Sequence, residues 1–235
     1  MKLCVIPARV GSKRIPMKNI RKFAGKPIIA WSIETALKSG LFDKVVVSTD
    51  SVKIANIAKN YGAEIPFLRP TELADDFSGT NAVVKQALEW FDKKGIKIDF
   101  ICCIYATAPF LMIKYLKKGY DKLINSDKSF SFSVTSFPFP IQRALSINKD
   151  DCLEAIWPEN ACSRSQDLDE AYHDAGQFYW GKTEAFLNEE MLYSTKSLPI
   201  ILPRYLVQDI DTFEDWKRAE IMFNSLVEIG ELEMS

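Results

Sequence analysis

DFICCIYA, residues 99–106, is the stretch that decides the fold. Successive residues of a strand point to opposite faces, so the unbroken apolar run from Phe100 to Ile104 leaves this strand no wet side. Antiparallel sheets commonly alternate apolar with polar residues, whereas parallel strands are covered by helices on both faces. A central parallel strand is therefore expected here. Working outward, LCVIP (3–7) and VVVST (45–49) have the same character, and AEIPF (63–67) reads as a further strand. Helical spacing fills the intervals. Pro27 opens a segment with Ile29, Ile33, Ala36 and Leu37 on one face, stopped by Gly40. Ser51 can cap a helix bearing Ile54, Ile57, Ala58 and Tyr61, ended by Gly62, and Val84, Ala87, Leu88 and Phe91 mark another, ending at Gly95. Strands alternating with helices imply right-handed crossovers and an open, doubly wound α/β fold whose ligands bind beyond the carboxyl ends of the strands.

At 235 residues and 47% hydrophobic composition, the chain suits one well-buried core, and 1–235 reads as a single domain. Regularity weakens after about residue 135. The stretch 137–170 mixes Pro, aromatics and charges and reads as an excursion with a hairpin and loops, a candidate subunit contact. AYHDAGQFYWG (171–181) and PIILPRYLVQDID (199–211) read as strands returning to the core. Thr212 with Asp215 forms a capping box for a last helix that buries Trp216, Ala219, Met222, Phe223 and Leu226.

Composition excludes several classes of function. The opening MKLCVIPAR is too short an apolar run for a signal core or a membrane span, so a cytoplasmic protein without a membrane partner is expected. A net charge of −1, with no aromatics among the clustered bases, argues against nucleic acid. Five cysteines without C-x-x-C spacing and a single histidine, His173, give little material for a disulfide framework, a Cys/His zinc site or a Ser/His/Asp triad. His173 reads as a structural residue.

Charge is nevertheless uneven. Eight Lys/Arg precede the first acid, Glu34, which leaves the rest of the chain at −9. Four of them, Arg9, Lys13, Arg14 and Lys18, crowd IPARVGSKRIPMKN (6–19) directly after the first strand. The loop has one glycine, Gly11, and matches neither familiar phosphate-binding glycine motif, so side-chain cations must supply the attraction. Arg forks and mobile Lys charges at a strand's carboxyl end suit a triphosphate. At the other end of the chain, Asp209 and Asp211 lie two apart. On a strand both carboxylates would share one face and could converge on Mg²⁺, which takes one or two carboxylates plus phosphate oxygens.

RVGSKRIPMKN resembles the R-x-x-S-K-R-x-x-x-K-N loop of the acylneuraminate (nonulosonic acid) cytidylyltransferases. The similarity continues through VVVSTDS (45–51), FLRPTELADDFSGT (67–80), CCIYATAPFL (102–111), AYHDAGQFYWG and LPRYLVQDIDTFEDW (202–216), and so covers nearly the whole chain. YATAPF and HDAGQFYWG are most similar to the pseudaminic acid branch, and Tyr105-Ala-Thr-Ala-Pro109 stands where sialic acid enzymes usually read Q-P-T-S-P. The resemblance implies a three-layer αβα nucleotide-sugar transferase fold, a homodimer exchanging contacts through 137–170, and Mg²⁺-dependent attack of a sugar's anomeric hydroxyl on the α-phosphorus of CTP. By the same resemblance, Arg9 and Lys18 stabilise phosphate charge and Ser12 and Lys13 hold the triphosphate. Asn19, Arg69 and Thr80 surround the base and ribose. Asp209 and Asp211 bind the metal, either being placed to assist deprotonation. Tyr105, Arg164, Gln177, Phe178 and Tyr179 serve the sugar, with Arg164 preferred to Arg143 for its carboxylate. Lys18 is expected to be a solvated loop cation. Two alternatives stay open: the same reaction on sialic or legionaminic acid, and a noncatalytic nucleotide-binding module of this fold.

Overall fold

A computed structural model of the chain describes residues 1–70 and 79–232. The quoted segment 67–80 therefore lies partly outside the described residues. The main sheet contains β1 (Lys2–Pro7), β4 (Lys44–Ser48), β5 (Phe100–Ile104), β6 (Phe130–Ser136), β9 (Tyr172–Lys182) and β10 (Ser197–Ile201), in the order β10-β6-β9-β5-β1-β4. Every pairing is parallel except those of β9, which runs antiparallel to both β5 and β6. A two-residue pair, β2 (Lys22–Phe23) with β3 (Lys26–Pro27), follows the basic loop, and a small hairpin, β7 (Leu145–Ile147) with β8 (Leu153–Ala155), stands within 137–170.

Helices α1 (Ile28–Lys38), α2 (Val52–Asn60) and α4 (Ile113–Ile124) cover one face of the sheet, and α3 (Thr80–Asp92) with α5 (Thr183–Leu187) covers the other. Alternation along β1 fixes this division: Cys4 and Ile6 join Ile29, Ile33, Ile54 and Leu116 on the first face, while Leu3 and Val5 join Val84, Leu88 and Phe91 on the second. The result is three αβα layers. Ser51 caps α2 through Ile54 N–H, and Thr212 and Asp215 form a capping box at the start of α6 (Phe213–Glu228).

Three expectations need correction. AEIPF contributes a single bridge, Glu64 to Val46, because Pro66 lacks the N–H that would continue the pairing. The 199–211 strand ends at Ile201: β10 is an edge that tolerates Pro199, but Pro203 turns the chain into a 3-10 turn, Arg204–Leu206. Asp209 and Asp211 therefore lie on irregular backbone before α6 rather than on a strand. Finally, α4 and β6 occupy residues 113–136, where the sequence pattern is read as no element.

A third apolar cluster determines where the site forms. Phe23 and Trp31 pack edge-on against Phe223 at 5.4 and 4.6 Å between ring centroids, and Phe23 meets Trp216 at 5.5 Å. Ile15 from the basic loop and Ile210 from the D-x-D are both buried in this cluster with α6. Burying a side chain of this size contributes roughly 1.5–3 kcal/mol. Two polar segments almost two hundred residues apart are thereby held together by their own apolar residues.

Candidate active site

β1 is flanked by β4 and β5, and the chain reaches them on opposite sides, so the topological switch lies at the carboxyl end of β1. An open cavity of about 520 Å³ occupies this position. Arg9, Ser12, Lys13, Arg14, Lys18 and Asn19 line it from the basic loop, Arg69 and Thr80 from beyond β4, Tyr105 from beyond β5, and Asp211 from the C-terminal side. The loop is shaped from within: Asn19 Nδ2 donates to the Arg9 carbonyl (2.9 Å), and Asp50 accepts from Val10 N–H (3.0 Å).

Asp211 joins the two charged segments. Its carboxylate accepts from Arg14 (2.6 Å) and from Lys18 Nζ (3.1 Å), while Lys18 also donates to the Ile210 carbonyl at 2.7 Å. With only 18% of its side chain exposed, Lys18 is not the solvated cation expected. Burial of Ile15 and Ile210 draws it inward, where it must satisfy a carbonyl as well as a carboxylate. Arg69 is 6% exposed and donates through Nε and Nη2 to the Ser48 hydroxyl (3.1 Å) and carbonyl (2.5 Å). Burial lowers its pKa from the usual value, opposed by the nearby charge of Asp50. Arg69 thus buttresses the end of β4 as well as facing the cavity.

A second cavity, of about 680 Å³, adjoins the first. Asp209 lines it, with Arg204, Gln208, Arg218, His173, Asp174 and Tyr179. The two aspartates thus face different cavities, yet Asp209 senses the charge of Asp211. Partial withdrawal from water raises the Asp209 pKa, and the charge of Asp211 raises it further. A carboxyl with a raised folded-state pKa contributes stability that is present below its ordinary value and lost as pH rises through the folded one. Asp209→Asn, which cannot ionise, is accordingly expected to melt slightly higher than wild type at pH 7 and to match it at pH 3; a lower melting temperature at pH 7 would contradict this.

The expected sugar residues divide. Tyr105 lines both cavities, and Tyr179 lines the second. Phe178 does neither: it is fully buried against Cys4, Ile104 and Trp180, because the residue after Gln177 and before Tyr179 must face the opposite side of the sheet. Gln177 is 4% exposed and is spent on the Leu206 carbonyl, 2.6 Å away. Arg164 is exposed on the 137–170 excursion and lines neither cavity, and Arg143 donates weakly to Ser165 there (3.4 Å). The cations facing the second cavity, Arg204 and Arg218, were not singled out from the sequence, although LPRYLVQDIDTFEDW contains the first and Arg218 follows Asp215 at helical spacing. His173, read as structural, packs edge-on against Phe137 (4.8 Å) with Nδ1 2.8 Å from the Asp174 carbonyl, but also borders the second cavity.

Among the described residues, no group of three or more His, Cys, Asp or Glu could hold a metal, and no helix is long and apolar enough to cross a membrane. Residues 3–229 match the family model described as Cytidylyltransferase. The chain is similar to the pseudaminic acid cytidylyltransferase of Campylobacter jejuni subsp. jejuni serotype O:2, 47% identical over 94% of this chain and 95% of that protein. It is also similar to the CMP-N,N'-diacetyllegionaminic acid synthase of Legionella pneumophila, 33% identical over 93% and 94% of the two chains. Among solved structures, a CMP:2-keto-3-deoxy-manno-octonic acid synthetase complexed with CTP matches with a TM-score of 0.68 at 14% identity, covering 95% of this chain and 98% of that one, which shows a shared fold.

Proposed function

Because the chain belongs to the cytidylyltransferase family, we propose that it transfers CMP from CTP to the anomeric hydroxyl of a nonulosonic acid, pseudaminic acid, and releases pyrophosphate. One observation carries the reading: a cationic cavity at the switch point of the sheet opens beside a second cavity, and Tyr105 and the Asp209/Asp211 pair stand at their junction. The triphosphate belongs in the first cavity, the sugar in the second. The sugar oxygen attacks the α-phosphorus, the bond from that phosphorus to the bridging oxygen breaks, and pyrophosphate leaves.

Arg9, Ser12, Lys13 and Lys18 hold the phosphates, with Arg14 and Lys18 exchanging Asp211 for phosphate oxygens. Asn19, Arg69 and Thr80 remain the candidates for base and ribose. Charge stabilisation by prearranged donors is the main source of rate in such a transfer. Two carboxylates close enough that the charge of Asp211 raises the Asp209 pKa, with no larger metal-binding group among the described residues, fit a hard cation shared with phosphate. Asp209 and Asp211 would hold Mg²⁺, which supplies neutralisation of phosphate charge when bound. Asp209, on the sugar side, is placed to receive the hydroxyl proton. Arg204 and Arg218 replace Arg164 as the same-chain cations for the sugar carboxylate.

Exposed Phe139, Leu145, Ile147, Leu153, Ile156 and Trp157 on the excursion support a homodimer, in which Arg164 belongs to the contact region. Five free cysteines support a reducing, cytoplasmic setting. The test is to incubate the protein with CTP, Mg²⁺ and pseudaminic, legionaminic or sialic acid, following pyrophosphate and the mass of the active species. Release with pseudaminic acid from a particle of twice the chain mass is expected. Turnover of sialic acid without pseudaminic acid would overturn the substrate, CTP binding without any release would overturn the reaction, and an active monomer would overturn the dimer.

A further inference from the structure

Among the described residues, Tyr105 alone lines both cavities, and it also borders a third, of about 280 Å³. Its hydroxyl lies 3.2 Å from Thr80 Oγ1, and its ring packs against that of Tyr179 with 5.2 Å between centroids. Tyr179 donates in turn to Asp174 Oδ2 at 2.7 Å, and Tyr193 donates to the same oxygen at 2.8 Å. Asp174 Oδ1 accepts Gly176 N–H at 2.8 Å. Three donors thus converge on one carboxylate.

Regular strand geometry would forbid this meeting. Asp174 and Tyr179 are five residues apart and should face opposite sides of the sheet. A bulge reverses the outcome: Phe132 pairs with Tyr179 while Val134 pairs with Asp174, so β9 takes up extra residues between them. Gly176 absorbs the kink at φ +62°, where a side chain would be strained. The backbone departs from regularity at the place that turns Asp174 toward Tyr179.

We propose that Asp174 is a positioning residue: acting through Tyr179, it fixes the Tyr105 hydroxyl at the junction of the two cavities and so orients the sugar toward CTP. This rests on the reaction proposed above. An ionised carboxylate only accepts, so Tyr179 spends its one proton on Asp174, and that bond holds its ring against the ring of Tyr105. The Tyr105 ring, packed on that of Tyr179, carries its hydroxyl beside Thr80 Oγ1 at the junction. The group it meets there is a hydroxyl or acylamino N–H of the sugar. Asp174→Asn disrupts the arrangement in either orientation, because its amide NH₂ must face a tyrosine O–H or Gly176 N–H.

The test is a double-mutant cycle with Tyr105→Phe and Asp174→Asn. Each single change is expected to lower kcat/KM for the sugar roughly 10- to 100-fold, with the KM for CTP within about twofold of wild type. The double variant is expected to be no worse than Tyr105→Phe alone. Should Asp174→Asn fold poorly, Tyr179→Phe removes the same link while keeping the ring and is expected to show the same non-additivity. Losses that multiply, or a KM for CTP that rises in step, would overturn the inference while leaving the reaction intact. Wild-type protein that turns over no nonulosonic acid would overturn both.

Discussion

Asp211→Asn is expected to lower kcat by roughly 10²- to 10³-fold while unfolding within about 1 kcal/mol of wild type. The large effect follows from its position: Asp211 is the carboxylate on the phosphate side of the pair, lining the same cavity as Arg9, Ser12 and Lys18. The small one follows from exposure, since about a third of the side chain reaches solvent (34%) and its ion pairs with Arg14 and Lys18 are screened accordingly. CTP binding without Mg²⁺ separates the roles. Losing the carboxylate leaves Lys18 and Arg14 without a competitor for phosphate, so metal-free affinity is expected to hold or rise as turnover falls. If titration calorimetry shows metal-free affinity falling as far as turnover, Asp211 serves to order the loop instead.

Lys18→Ala is expected to lower kcat by a comparable factor, roughly 10²- to 10³-fold, but with a measurable structural cost. Lys18 Nζ donates to the Ile210 carbonyl at 2.7 Å as well as to Asp211, and hydrogen bonds involving a charged group contribute about 1.5–3 kcal/mol. Partial exposure places the expected loss toward the lower end of that range. Urea unfolding measures the stability and pyrophosphate release the turnover. Lys18→Met, which keeps the apolar stem, is expected to recover part of the stability and none of the rate. Recovery of rate with Met would show that packing, not charge, is what Lys18 supplies.

The layers of the fold were legible because they rest on local periodicity. β1, β4 and β5 are apolar runs and α1 to α3 carry apolar stripes at helical spacing, so burial of both sheet faces could be read directly. What failed depended on distant partners. Whether Pro66 or Pro203 ends a strand depends on which neighbour needs its N–H, and the antiparallel sense of β9 depends on pairing with β5 and β6, which lie far earlier in the chain. The basic loop and the D-x-D were legible as charge, but their meeting depends on Ile15 and Ile210, which look unremarkable in sequence. Phe178 and Tyr179 illustrate the limit of motif matching. Adjacent in one quoted segment, they face opposite sides of the sheet, and only the tyrosine reaches a cavity. Asp174 was hidden for the converse reason, since the bulge at Gly176 breaks the alternation that sequence reading relies on.

The shared grip of the basic loop and Asp211 on one triphosphate is open to a crystal structure with Mg²⁺ and a non-hydrolysable CTP analogue. The phosphates are expected among Arg9, Ser12 and Lys18, with a cation between them and the Asp211 carboxylate. Phosphates lodged beside Arg204 and Arg218, or a cation bound away from both aspartates, would contradict it.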